Sequence, residues 1–331
     1  MRSSQGRVLT KLPLTDAAGI QRRYFVEALR GAIPASSIKM GMRFNGFDWS
    51  PEGRVACARF ERHESVDAGD GSESSVVVEA DLFIGADGVR SRTRAELFPD
   101  HAVSKVRVKE LVCSVHAPDL AAQMGNMFLK TQDEHTGLAL GIVPCGGGDL
   151  VWYLQYDSER LDMDERTSAG TGARHPSNEC KEAFARALVS DWPAPIPELL
   201  ERTNFEEAHV WSTTDMELLP SFHRKNVVLI GDAAHVFLTF TSQGVNSALQ
   251  DVVALARCLA TRRACRVFAV AAGDDDGGRS PSPIADDAVL EQFSTERRSE
   301  VGGFLNAGRA LAERFLYPSR FTGDIAVPLV K

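Results

Sequence analysis

The order of apolar and polar positions divides the chain into short segments of period two and longer ones of helical period. Alternation predicts strands over residues 7–14, 43–49, 54–61 and 75–79. A helix is predicted over 19–30, with Phe25, Ala28 and Leu29 on one face. The run 81–85 (DLFIG) does not alternate and leads into Gly-Ala-Asp-Gly, as expected of a strand buried on both faces in a parallel sheet. A helix begins near Ser91. Several runs between 106 and 157, including 138–143 and 150–155 joined by Gly146-Gly147-Gly148, predict an antiparallel sheet. Helices follow over 182–190 and 196–202, then a buried strand over 227–230, a long amphipathic helix over 244–260 and a last helix over 289–316.

Three polar stretches interrupt this pattern. Residues 67–75 read as a hairpin loop, 166–178 as a flexible loop, and 273–287 as a disordered low-complexity insertion. No internal repeat is visible. The expected organisation is 1–104 as the first part of a nucleotide-binding domain and 105–218 as a sheet-and-helix domain. The segment 219–262 returns to the first domain, 263–288 is the insertion, and 289–331 holds the C-terminal helix.

At 331 residues, 44% hydrophobic and 25% charged, the chain is long enough to bury a sizeable core, in one large domain or two intimate ones. A net charge of -8 argues against nucleic acid or an anionic membrane surface as the main partner. No apolar run approaches the roughly 20 residues needed to span a bilayer, and the N-terminus lacks the apolar core of a signal peptide. Cys57, Cys113, Cys145, Cys180, Cys258 and Cys265 form no CxxC pair and no disulfide rhythm, so free or buried thiols are expected. A soluble, cytoplasmic protein is the expectation. No His/Cys/carboxylate cluster has metal-ligand spacing.

Candidate chemistry concentrates in residues 226–260. A buried strand ends at Ile230, and Gly231-Asp232 stands at its carboxyl end, where open α/β sheets bind ligands. An Asp there suits the hydroxyls of a ribityl or ribose group. Gln243, Gly244, Val245 and Asn246 then open a helix whose backbone N–H groups and dipole suit an electron-rich carbonyl or developing anion. A second element is Asp87-Gly88 after the 81–85 strand, followed by Ser91 and Arg94. A third is Arg22 at the start of the first helix; a guanidinium fork matches a pyrophosphate.

Together these segments resemble the class A FAD-dependent monooxygenases, the aromatic-ring hydroxylases that include p-hydroxybenzoate hydroxylase, salicylate hydroxylase and kynurenine 3-monooxygenase. The segment from Gly231 to Asn246 is similar to the family's GD motif, 81–94 to its second FAD/NAD(P)H motif, and 20–29 to its Ile-x-Arg-x-x-Leu helix start. The resemblance implies that Asp232 holds the FAD ribityl chain, with Gly231 before it. Gly244, Val245 and Asn246, after Gln243, would lie against the isoalloxazine. Asp87 and Gly88 would contact the cofactors, Arg94 would stabilise their turn, and Arg22 would reach the FAD phosphates. The family usually has prolines in the loop before Gln and a glycine immediately preceding it; here no proline lies between His235 and Gln243, and Ser242 takes the glycine's place.

A G-x-G-x-x-G after an opening strand is expected for such a fold, and none is found: Gly170-Thr171-Gly172 lies in a polar loop. The implied fold class is therefore α/β (α+β), a Rossmann-like FAD/NAD(P)-binding domain lacking its first βαβ unit plus an antiparallel-sheet substrate domain. The implied activity uses FAD, with NADH or NADPH and O2, to hydroxylate a small aromatic or related planar substrate through a flavin C4a-hydroperoxide. The sheet over 106–157 would form the substrate pocket. Met127, Leu129, Leu138, Leu140 and Tyr153 face either that pocket or the core, the core being favoured. His235 is expected to be a structural hydrogen-bonder. Alternatives are a non-catalytic remnant that binds a partner or ligand, and a flavin halogenase or reductase of the same fold, although Trp152 stands without the halogenase Trp-x-Trp-x-Ile-Pro signature.

Overall fold

The computed structural model describes residues 1–9, 18–62, 75–161, 176–271 and 287–318. In chain order the elements are β1 (Arg2–Ser3), α1 (Arg22–Gly31), β2 (Met42–Trp49), β3 (Val55–Arg62), β4 (Ser75–Glu79), β5 (Phe83–Gly85) and α2 (Arg92–Leu97). Next come β6 (Ser104–His116), α3 (Pro118–Met124), β7 (Leu129–Asp133), β8 (Leu138–Pro144), β9 (Asp149–Asp157), α4 (Asn178–Val189), α5 (Ile196–Glu201) and β10 (His209–Asp215). The chain continues through β11 (His223–Arg224), β12 (Val227–Leu229), α6 (Gly244–Ala271) and α7 (Asp287–Leu316). Among the described residues they fall into two compact units, one of Met1–Ile38, Lys105–Thr213 and the end of α7, the other of Lys39–Ser104 and Thr214–Leu311.

In the first unit, alternation along β6, β8 and β9 produces a mainly antiparallel six-stranded sheet of order β1-β7-β8-β9-β6-β10, with β1 joined parallel to β7. Period two sends Leu111, Cys113, Leu140, Ile142, Trp152 and Leu154 to one face. There they form a core with Val189, Trp192, Ile196 and Leu199. Leu129, Leu138 and Leu140 belong to this core, whereas Met127 is exposed. The helix α1 forms close to where its pattern predicts, but none of its residues is buried, and Leu29 of the expected packing face is 46% exposed.

The second unit holds two three-stranded sheets. One is the antiparallel β2-β3-β4 meander; the other has order β11-β12-β5, with β12 parallel to β5 as the continuous apolar runs imply. Their core joins Phe47, Val55, Val227, Val228, Leu229, Leu255, Leu290 and Phe293. The fold is thus mixed α/β, with parallel pairing beside separate antiparallel sheets.

Several boundaries differ from expectation. The helix over 244–260 extends to Ala271, the last helix begins at Asp287, and α3 and β10 arise where no element was anticipated. The predicted strand over 7–14 shows only a bridge between Arg2 and Val8; residues 10–17 lie outside the described residues. So do most of the hairpin loop over 67–75, the loop over 166–178 and the insertion over 273–287. Among the described residues no helix is long and apolar enough to cross a membrane, and no group of His, Cys, Asp and Glu is placed to hold a metal. Cys57, Cys113, Cys145, Cys180 and Cys258 are free thiols.

Candidate functional site

The site in the second unit is built on the carboxyl ends of the two parallel strands. Every residue of β12 is buried, so the chain leaves the core at Ile230 and must turn at once. Gly231 makes that turn at φ +58°, a left-handed conformation that a side chain disfavours, and a Cβ there would lie 3.2 Å from that of Ala248. A single 3-10 turn, Gly231–Ala233, then carries Asp232 outward, its residue exposed.

At the end of the neighbouring strand, Gly88 turns at φ +77° with no atom within 4 Å of an added Cβ. Asp87 accepts hydrogen bonds from the N–H groups of Arg92 at 2.8 Å and Thr93 at 3.0 Å, and from the Ser91 and Thr93 hydroxyls. Burial pushes its carboxyl pKa up, but the Ser91 and Thr93 hydrogen bonds outweigh it and hold the group below the usual carboxylate range. Ser91 caps α2 by accepting from the Arg94 N–H at 2.8 Å. Asp87 is therefore both exposed toward any ligand and committed to the helix start.

Arg94 links the two turns. Its buried guanidinium donates to the carbonyls of Asp232 at 2.9 Å, Ala233 at 3.1 Å and Val89 at 2.5 Å. Burial lowers its pKa, opposed by the charges of Asp87 and Asp232. The expectation that it supports the turn after Asp87 thus widens, because it holds the Asp232 turn as well.

A second fully buried network secures the Gly231 turn from behind. Asp251 Oδ2 accepts from the Gly231 N–H at 2.7 Å and meets His235 Nε2 at 2.7 Å. Asp251 Oδ1 accepts from Arg297 Nε at 2.7 Å, and Arg297 also donates to the Ser247 carbonyl and hydroxyl. Burial works to raise the Asp251 pKa, yet hydrogen bonds from His235 and Arg297 and the charge of His235 keep it lowered. The His235 ring contacts those of Phe222 and Phe237, with centroids 5.7 Å and 4.8 Å away. Neither Asp251 nor Arg297 was singled out from sequence. The available signal for Asp251 was a carboxylate within the apolar run ALQDVVALA; Arg297, in a charge-rich segment, gave none.

The loop from His235 to Gln243 lacks prolines and is held by burial of Val236, Leu238 and Thr241 around a short 3-10 turn. Ser242 itself adopts φ +54°, ψ +26°, the conformation a glycine would take at no steric penalty. Then α6 starts at Gly244, where an added Cβ would meet nothing within 4 Å. Val245 is 60% exposed and Asn246 is exposed, and the first-turn N–H groups have no partner within the helix. Asp87, Gly88, Gly231, Asp232, Gln243, Gly244, Val245 and Asn246 all belong to this unit. Arg22 belongs to the other, exposed at the first position of α1.

An exposed carboxylate at a strand end, left-handed glycines at both turns and an open helix N-terminus fit a dinucleotide bearing a polyol chain and a ring with an electron-rich carbonyl edge. Residues 58–264 match the FAD binding domain family. The aurachin C monooxygenase/isomerase of Stigmatella aurantiaca is 27% identical over 267 residues, covering 77% of this chain and 61% of that protein. The 6-hydroxynicotinate 3-monooxygenase of Pseudomonas fluorescens is 26% identical over 265 residues, covering 77% and 62%. Among solved structures, Klebsiella pneumoniae HpxO, complexed with FAD and uric acid, superposes with a TM-score of 0.65 at 16% identity, covering 89% of this chain and 63% of that one. The chain thus spans about three-fifths of the length of these relatives.

Proposed function

Since the chain belongs to the FAD binding domain family of flavin-dependent monooxygenases, we propose that it acts as an FAD-dependent monooxygenase on a small aromatic or related planar compound. The observation that carries this reading is one buried guanidinium, Arg94, bonded to carbonyls of both turns, Val89 after Asp87 and Asp232–Ala233, beyond the ends of the paired strands β5 and β12. Asp232 would hold the ribityl hydroxyls, and the N–H groups at Gly244, Val245 and Asn246 would meet the carbonyl edge of the ring system. Asp87 and Gly88 would border the nucleotide, and Arg22 would pair with phosphate. FAD, when bound, would accept the reducing equivalents of NADH or NADPH and supply the activation of O2. The protein's part is to orient the ring, exclude water and keep dipoles aimed at it. A cytoplasmic location belongs to the same proposal.

Purification tests the reading directly. The protein should be yellow or become so on addition of FAD, and Asp232→Ala should weaken flavin retention at least tenfold without unfolding the chain. A colourless preparation that FAD does not reconstitute rules the reading out and leaves a non-catalytic binding protein.

A further inference from the structure

One face of the six-stranded sheet is core; the opposite face carries a cluster of polar and ionisable side chains, two of them buried. Lys130, Gly141, Tyr153 and Val112 lie in one row across β7, β8, β9 and β6. Ala139, Gln155 and Glu110 form the next row on the same face. Lys130 Nζ donates to Gln155 Oε1 at 3.1 Å, and Gln155 Nε2 donates to Glu110 Oε1 at 2.7 Å. Gly141 makes room for Tyr153, whose ring would lie 2.3 Å from a Cβ at that position. Phe128 stacks on Tyr153 with centroids 6.4 Å apart and planes at 28°.

We propose that Lys130 and Glu110 recognise a neutral planar ring bearing an N–H beside a C=O, that is, a cyclic amide, with the stacked Phe128 and Tyr153 side chains beside the ring. This deepens the function proposed above, on which it rests, by naming its substrate class. The Gln155 carboxamide shows the spacing: its oxygen meets the ammonium and its nitrogen meets the carboxylate, so donor and acceptor are one amide edge apart. A cyclic amide presents the same edge and takes over those bonds once the buried Gln155 side chain turns aside, so that both charged groups keep a hydrogen-bond partner. Charge decides against a ring carboxylate. It would meet Lys130 favourably but would have to be desolvated beside the buried Glu110. Burial, opposed by the Glu110 charge, pushes the Lys130 pKa down to about 8, and Tyr153 is raised by burial and by the same carboxylate. Recognition through the ammonium therefore weakens as pH rises through about 8.

The test uses 2-pyridone and benzoate as probes on the purified full chain, with flavin content recorded on the same samples. Wild-type protein should bind 2-pyridone more tightly than benzoate. Glu110→Gln should weaken 2-pyridone about tenfold, the loss expected for one charge-assisted hydrogen bond, while strengthening benzoate. Lys130→Met should weaken both, and the NMR signal of 13C-methylated Lys130 should move on addition of 2-pyridone. Tighter benzoate binding by wild type, an unchanged preference in Glu110→Gln, or no saturable binding of 2-pyridone overturns the proposal. Flavin retention is scored separately, so loss of one reading is distinguished from loss of the other.

Discussion

Arg94 donates to the main-chain carbonyl of Asp232 at 2.9 Å while its other amino group serves Val89 at 2.5 Å. A side chain in the first turn of α2 therefore holds a turn 138 residues further along. Because it binds carbonyls, it fixes the Asp232 backbone and leaves the carboxylate to face outward.

Replacing Arg94 by Met should leave three buried or half-buried carbonyls without their donor. A loss of about 3 kcal/mol or more is expected, from roughly 1–3 kcal/mol per unsatisfied buried group, read as a lower urea midpoint in flavin-free protein. Arg94→Lys should recover only part of it, because an ammonium lacks the planar fork.

Asp251 gives the protein an acid-sensitive element. Its folded pKa lies below its unfolded value, so its contribution is fully present above about pH 4 and is lost as pH falls from there through the folded pKa. Unfolding followed between about pH 2 and 5 should show this slope on the acid side of about pH 4, and Asp251→Asn should flatten it. At neutral pH the same variant should cost about 3 kcal/mol, since it removes the buried one of the two carboxylates that pair with Arg297 and leaves only the exposed Glu300.

The two left-handed positions at the flavin-family segment should respond oppositely to exchange. Ser242→Gly relieves a strain of about 1–2 kcal/mol, partly offset by the greater freedom of glycine in the unfolded chain, for a net gain on the order of 0.5 kcal/mol. Gly231→Ala should lose at least as much as the strain and also press on Ala248. Paired melting curves check both signs.

Gly141→Ala should force the Tyr153 ring out of place, since the new methyl would lie 2.3 Å from it. Overpacking of this kind costs about 1–3 kcal/mol. A lower melting temperature together with altered tyrosine fluorescence would show it; an unchanged protein would mean the ring does not rest on Gly141.

The segment from Val227 to Asn246 was readable because its signals are local: an unbroken apolar run, a glycine at its end, and a helix start. Sheet parity was equally readable, and it separates Tyr153 from Leu129, Leu138 and Leu140, which the residue types alone left together. The apolar stripe of α1 named a face but could not name a partner, and Phe25, Ala28 and Leu29 are not buried. The pair Asp251–Arg297 spans 46 residues and exists only through tertiary packing, as does the reach of Arg94 to Asp232. The missing loop prolines were visible, but that burial and a left-handed Ser242 replace them was not.

That replacement ties the loop to the rest of its unit. A proline-stiffened segment keeps its shape by covalent geometry even when its surroundings loosen. Here Val236, Leu238 and Thr241 are ordered only while the core holds them. Amide exchange along 236–242 should therefore follow the cooperative opening of the whole unit, with no separate softening at lower temperature.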